Sequence, residues 1–511
     1  MTRSQKTVKN VFFSTGAYML QLLLSMIVRV FFVHDIGREY LGLNSVYASV
    51  MSLISIADLG LDTVFVYLLY RPLRGNDYPA IRGVLHLYRQ IYRVIAAVIA
   101  LIGVVLLPFI PQILGGRVSL KGTYVIFVLY VINAVVGYLN AYKRSLLIAD
   151  QNSYIVNGVS SGILMLVDAA QIVFIVITHD PVGYMVIQVA GTVLTNLIIT
   201  GIAKRRYTRV FREAHYVIDN QQKRTLWQNG IGGVSNKIGG IVVVSSDNIL
   251  LAMFTNLVTV GMYSNYTVLT TALTNLMQTV STAVTPSIGQ LGVTSDRQHL
   301  KAIFLELSFI IYTLAGVIFC AFYGWISPFV LLWVGASNVF APLLTWLVAT
   351  NLWLNLIRVP SWMFADSFGL QWVQRWKAVV EAIVNLGLSL LFLVVFKWGI
   401  AGVLLGTILS TILIVLWYEP WTIFNHVIPG MTLGKYARFN LPFLGLFLLA
   451  SGLYSLNLHY FPVKTMWLQN AAGATGILAV LVIGFLIIFR NNVYFKRMLD
   501  RCRHSLSRQK N

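Results

Sequence analysis

Eight ionisable residues, Arg29, Asp58, Asp62, Asp168, Lys237, Asp247, Arg358 and Glu381, lie within or at the edge of long apolar stretches. Each costs roughly 2.5–3.5 kcal/mol at the centre of a membrane helix unless it meets water, a partner or the interface. They are therefore the candidates for binding and coupling. The three cations, Arg29, Lys237 and Arg358, suit a substrate phosphate, arginine as a planar fork and lysine as a point charge. The five acids, Asp58, Asp62, Asp168, Asp247 and Glu381, suit gating or coupling to protons or sodium ions. Rise per residue places Arg29 about 29 Å and Asp247 about 26 Å along their segments, toward the outer side, where the two are expected to meet. Asp58, Asp62, Lys237 and Arg358 fall toward the inner side, and Asp58 and Asp62, four apart, share a helical face. Asp168, about 21 Å into its segment, is the deepest acid and the best placed to carry a proton. Glu381 stands near an inner boundary, where a long side chain snorkels. Interhelical ion pairing without a transport role is the competing account of all eight.

Other chemistry is missing. No GxxxxGK[ST] phosphate loop and no HExxH motif occurs, the eight histidines are scattered, and the two cysteines, Cys320 and Cys502, are far apart. No catalytic residue, metal site or cofactor is expected.

The elements that must carry these charges follow from composition. Of 511 residues, 57% are apolar and 11% charged, against about 45–50% and about 25% in soluble domains. That excludes a soluble enzyme and leaves room for roughly 14 spans of about 20 residues. The apolar segments run over 10–33, 40–70, 94–110, 122–141, 154–178, 182–203, 230–254, 258–290, 303–323, 339–365, 378–396, 398–418, 437–459 and 466–489. The second and eighth are too long for one straight crossing, which predicts tilt, extension or a break near Gly60. The fold class is an all-α polytopic membrane protein.

The net charge of +21 could suggest nucleic acid. However, thirty of the 38 basic residues fall on one side when the N-terminus is placed inside, and five on the other. The surplus is thus topological, both termini are expected in the cytoplasm, and no nucleic-acid partner is implied. Tyr207, Phe211, Tyr216 and Trp227, set among the bases of 204–229, fit an amphipathic stretch on the inner leaflet. The longest outside connection, about 324–338, is apolar and offers nothing to a membrane polymerase or ligase acting on sugars.

The 204–229 stretch separates 1–203, six spans, from 230–418, another six; 419–489 adds two spans and 490–511 is a basic tail. Gly42-Leu43-Asn44-Ser45-Val46-Tyr47 and Gly261-Met262-Tyr263-Ser264-Asn265-Tyr266 share Gly, Ser and Tyr at an offset of 219, each opening the second span of its half. Six spans per half keep both in one orientation, as in transporters that rock two parallel repeats.

Three groups of residues carry a resemblance. Ile54-Ser55-Ile56-Ala57-Asp58-Leu59-Gly60-Leu61, with Leu69-Tyr70-Arg71-Pro72-Leu73 and Leu87-Tyr88-Arg89-Gln90-Ile91-Tyr92, is the first. Ser245-Ser246-Asp247-Asn248-Ile249-Leu250 leading to Val260-Gly261-Met262-Tyr263-Ser264-Asn265-Tyr266 is the second. Gly399-Ile400-Ala401-Gly402-Val403-Leu404-Leu405-Gly406-Thr407, flanked by Val380-Glu381-Ala382-Ile383-Val384-Asn385-Leu386 and Trp417-Tyr418-Glu419-Pro420, is the third. Over its first twelve spans the sequence resembles the Wzx-type flippases of polysaccharide repeat units, within the multidrug/oligosaccharidyl-lipid/polysaccharide exporter superfamily. The resemblance implies two pseudo-symmetric six-helix lobes around a central cavity, two extra C-terminal helices and alternating access in the bacterial cytoplasmic membrane. The implied substrate is a polyprenyl-diphosphate-linked oligosaccharide of the O-antigen, capsule or teichoic type. Membrane lipids, a polymerase and glycosyltransferases are the implied partners. The last two helices look like the pair that lines a lipid groove in the peptidoglycan-precursor flippase. A cation-coupled multidrug exporter is the alternative within the superfamily; such exporters usually stop at twelve spans.

Overall fold

The computed structural model describes residues 16, 19–55, 61–116, 120–212, 241–243, 245–294 and 297–498. Among these no strand occurs, and contacts divide the chain into a first unit, Met1–Gly261, and a second, Met262–Asn511. Of the expected linker 204–229, residues 213–229 lie outside the described residues.

In the first unit the helices are α1 (Met19–Ile36), α2 (Arg38–Ile54), α3 (Leu61–Gly75), α4 (Tyr78–Leu106), α5 (Thr123–Leu139), α6 (Ala141–Ala149), α7 (Ser153–Thr178), α8 (Pro181–Arg206), α9 (Thr208–Arg212) and α10 (Ile241–Phe254). α11 (Leu257–Thr294) begins there. Carboxylates mark two of the starts. Asp77 caps α4 by accepting from the Ala80 amide at 3.0 Å, and Asp180 caps α8 by accepting from Val182 and Gly183 at 3.1 and 3.0 Å. Each precedes or adjoins a proline that cannot donate at the first turn, Pro79 and Pro181. Asn140 separates α5 from α6, which bend by 45°.

The repeated glycines meet backbone to backbone within this unit. A Cβ on Gly42 would stand 1.9 Å from the Leu257 carbonyl oxygen, and one on Gly261 would stand 2.3 Å from that of Arg38. The start of α11 therefore crosses α2 at a distance that any side chain at either position would forbid.

In the second unit follow α12 (Arg297–Val334), α13 (Pro342–Ile357), α14 (Val359–Ser367), α15 (Arg375–Leu390), α16 (Ile400–Ser410), α17 (Leu416–His426), α18 (Leu433–Tyr460) and α19 (Val463–Phe489). A π turn, Thr411–Val415, joins α16 to α17 without a break, so the expected segment end at 418 falls inside a helix. The expected apolar connection 324–338 is likewise helix up to Val334. α19 ends at Phe489, yet the basic tail does not simply leave: Tyr494 and Phe495 return to pack on Phe309 of α12.

Among the described residues nine helices are long and apolar enough to cross a membrane, or ten if α5 and α6 form one broken span. This is a multi-pass membrane protein, and the count differs from fourteen for readable reasons. Segment 40–70 is two helices, 122–141 is the bent pair α5 and α6, 258–290 lies in α11, which is not among the nine, 339–365 is split at Arg358, and 230–254 is described only in part. Numerous Leu, Val, Ile and Phe side chains lie exposed along α4, α7, α8 and α19. On a soluble protein that surface would aggregate, whereas lipid is its natural solvent.

Candidate functional site

Four charges converge in the second unit. Arg358 occupies the junction between α13 and α14, where Pro360 in the first turn of α14 accompanies the break. Glu419 sits on α17, in the turn after the π segment, and Lys377 and Glu381 lie four apart on α15. The Arg358 guanidinium grips Glu419 as a fork, Nη2 to Oε1 at 2.9 Å and Nε to Oε2 at 3.4 Å. The same Oε1 accepts from Lys377 Nζ at 2.6 Å and from the Trp362 indole at 3.1 Å. Glu381 closes the group more loosely, 3.7 Å from Arg358 and 3.9 Å from Lys377. Trp362 also lies under the guanidinium, 4.9 Å from its ring centre.

These side chains are 10% (Arg358), 1% (Glu419), 8% (Lys377) and 12% (Glu381) exposed. Two cations and two carboxylates sum to zero, so no net charge is buried, and each loss would leave an uncompensated one. The consequence for phosphate binding is direct. Arg358 has its planar fork filled by Glu419, so an anionic substrate would have to displace a bidentate carboxylate.

The other expected residues are not gathered there. In the first unit, Arg29 lies on α1 and Asp168 on α7, where Gln171, one turn on, donates to the Tyr184 carbonyl of α8 at 3.1 Å. Asp247 is buried on α10, 5% exposed. Rise along a helix fixes the depth of Arg29 and Asp247 and leaves open which face each takes, so their expected meeting stays an expectation. Asp62 lies on α3, and Asp58 and Lys237 lie outside the described residues.

Glu419 and Lys377 were missed as site residues for two different reasons. Lys377 reads as one more topology marker, and ending the twelfth segment at 418 leaves Glu419 in a connection. The available signal was an acid before Pro420 amid Trp417, Tyr418 and Trp421, in a run that stays apolar to Phe424.

Two cavities accompany these groups. One, about 530 Å³, lies in the first unit among Tyr88, Tyr138, Arg144, Ser145, Thr192 and Asn196. The other, about 300 Å³, is apolar and lies in the second unit among Phe319, Trp353, Phe447, Leu481, Phe485 and Phe495. Among the described residues no group of three or more His, Cys, Asp or Glu is placed to hold a metal.

Residues 7–292 match the family model for polysaccharide biosynthesis proteins, more than half of the 511 residues. The chain belongs to the polysaccharide biosynthesis protein family. No curated protein matches the sequence. Among solved structures the fold is similar to the lipid II flippase MurJ in an inward closed conformation, at 13% identity and a TM-score of 0.65, over 94% of this chain and 99% of that one. It is also similar to an inward-facing multidrug resistance MATE family transporter of the MOP superfamily, at 14% identity and 0.62, over 79% and 94% of the two chains. A third neighbour is the Vibrio cholerae MATE transporter VcmN carrying D35N, at 14% identity and 0.53, over 82% and 97%. At such identities these likenesses establish the fold alone.

Proposed function

We propose that this protein is a flippase that carries a polyprenyl-diphosphate-linked oligosaccharide unit from the inner to the outer leaflet, by alternating access coupled to a proton or sodium gradient. The observation that carries the reading is the apolar cavity of the second unit. It is built by α12 and α13 together with α18 and α19, the added C-terminal pair. A diphosphate and several sugars cannot cross hydrocarbon unaided. A protein that carries them needs polar surroundings for the head while the prenyl chain keeps apolar contact, and this cavity supplies the second requirement. The lipid II flippase shares the fold over 94% of this chain, against 79% for the MATE family transporter. That difference favours a lipid-linked substrate over a drug.

In this reading the chain sits in the bacterial cytoplasmic membrane with both termini inside. It receives its substrate from glycosyltransferases and delivers it to a polymerase. A deletion strain tests it. Lipid-linked units accumulating on the cytoplasmic leaflet are the expected outcome. Single units accumulating on the outer leaflet would select a polymerase, and intact polymer with raised drug sensitivity would select an exporter.

A further inference from the structure

We propose that the cavity of the first unit binds a phosphorylated polyhydroxyl group, with Arg144 taking the phosphate and the hydroxyl-bearing walls taking the polyol. The cavity, about 530 Å³, is of ligand size. Five helices build it: Tyr88 comes from α4, Tyr138 from α5, Arg144 from α6, Ser160 from α7 and Thr195 from α8.

The walls are specific in what they offer. Thr192 and Thr195 spend their protons on carbonyls of their own helix, those of Gln188 at 3.2 Å and Gly191 at 2.8 Å, and so keep oxygen lone pairs to accept from a ligand. Gln188 accepts from Gln171 at 3.2 Å, which leaves its amide protons to donate. Ser160 Oγ is buried and has no hydrogen-bond partner among the described residues. Tyrosine rings complete the lining. Hydroxyl acceptors, amide donors and aromatic faces together are the complement of a polyol, whereas an apolar drug would leave them unsatisfied.

The charge is an independent observation. Arg144 is exposed at the cavity and enters no ion pair among the described residues. Its neighbour Lys143 is only 6% exposed, held by Asn140 Oδ1 at 3.0 Å and Thr200 Oγ1 at 3.3 Å, both neutral. Arg89 and Lys204 are like charges close enough to act on it. Lys143 thus stands beside Arg144 with no carboxylate paired to either among the described residues, which leaves Arg144 the charge that faces the cavity. The 45° bend at Asn140 sets both α6 cations at this end of the unit.

The ligand chemistry has two sources, the headgroup of a bilayer lipid and a free sugar or polyol phosphate. The full chain is purified into phosphatidylcholine nanodiscs, and its melting temperature and native mass spectrum are followed with three probes: phosphatidylglycerol, glycerol 3-phosphate and glucose 1-phosphate. Binding of at least one is expected, weakened about tenfold or more in Arg144→Gln, weakened also in Thr195→Val, and unchanged in Arg205→Gln, an exposed basic residue at the end of α8 outside the cavity. A response to phosphatidylglycerol alone identifies a lipid headgroup, and a response to the soluble phosphates identifies a free one. No binding of any probe, equal binding of glycerol or glucose without phosphate, or equal loss in Arg205→Gln overturns the proposal. It stands apart from the flippase reading, since all these measurements are made without transport.

Discussion

Among the described residues the second unit gathers four buried charges into one network, whereas Lys143 and Asp247 of the first enter no ion pair. Around Glu419 two cations and two carboxylates meet within 3.9 Å of one another and cancel. In the first unit Asp247 is buried and Lys143 is held by neutral oxygens. What fixes that unit where α2 crosses the start of α11 is backbone contact at two glycines. The difference suggests a division of labour. Charges that already satisfy one another hold helices in place, and charges left without a close counter-ion are available to a substrate, an ion or a headgroup.

The sharpest break of this comparison is Glu419→Ala. It strands Arg358 and Lys377 in a buried site and is expected to cost about 3–5 kcal/mol, read as a fall in melting temperature and in membrane-inserted protein. Replacing Arg358, Lys377, Glu381 and Glu419 together with apolar residues should recover most of the loss, because no charge is then stranded; failure to recover would mean that the network does more than neutralise itself. Gly42→Val comes next. Its side chain would start 1.9 Å from a carbonyl oxygen of Leu257 that belongs to backbone. Overpacking of this kind costs about 1–3 kcal/mol. Gly137→Ala, where nothing lies within 4 Å of the added carbon, is the control and should melt within the error of the unaltered protein.

How much of this was readable beforehand differs between the two units for a physical reason. Arg358 and Glu381 stand out because an ion in an apolar run is rare, and the network could be half found on that ground alone. Lys377 hides among the bases that mark topology, and Glu419 hides because an apolar segment was ended where a π turn in fact carries the helix on to His426. The cavity of the first unit left no such trace. Ser160, Thr192 and Thr195 are ordinary small polar residues of membrane helices, and they become a lining only when five helices bring them together. A helix start such as that of α8 is local by contrast, since Asp180 before Pro181 caps its own first turn and needs no tertiary context. The glycine pair was found as a repeat, but its meaning, a backbone approach between α2 and α11, required the fold.

Smaller effects sharpen the contrast. Glu381 touches its partners at 3.7 and 3.9 Å and is the most exposed of the four. Glu381→Gln should therefore cost only about 0.5–1 kcal/mol, and its double-mutant cycle with Lys377→Met should show coupling of the same size. A loss as large as that of Glu419→Ala would make the four charges one unit and not a core pair with a loose member.

Arg29→Gln is expected to move stability least and function most. If Arg29 serves the substrate, the protein should reach the membrane at its usual level and melting temperature. Surface polymer, measured in the same cells, should be lost. Asp168→Asn is the companion change. Were Arg29 and Asp168 a holding pair of the kind seen at Glu419, each single change would lower the melting temperature and the double change would restore it. Normal polymer together with a lowered melting temperature in Arg29→Gln would assign Arg29 to the holding class and end the division of labour drawn between the two units.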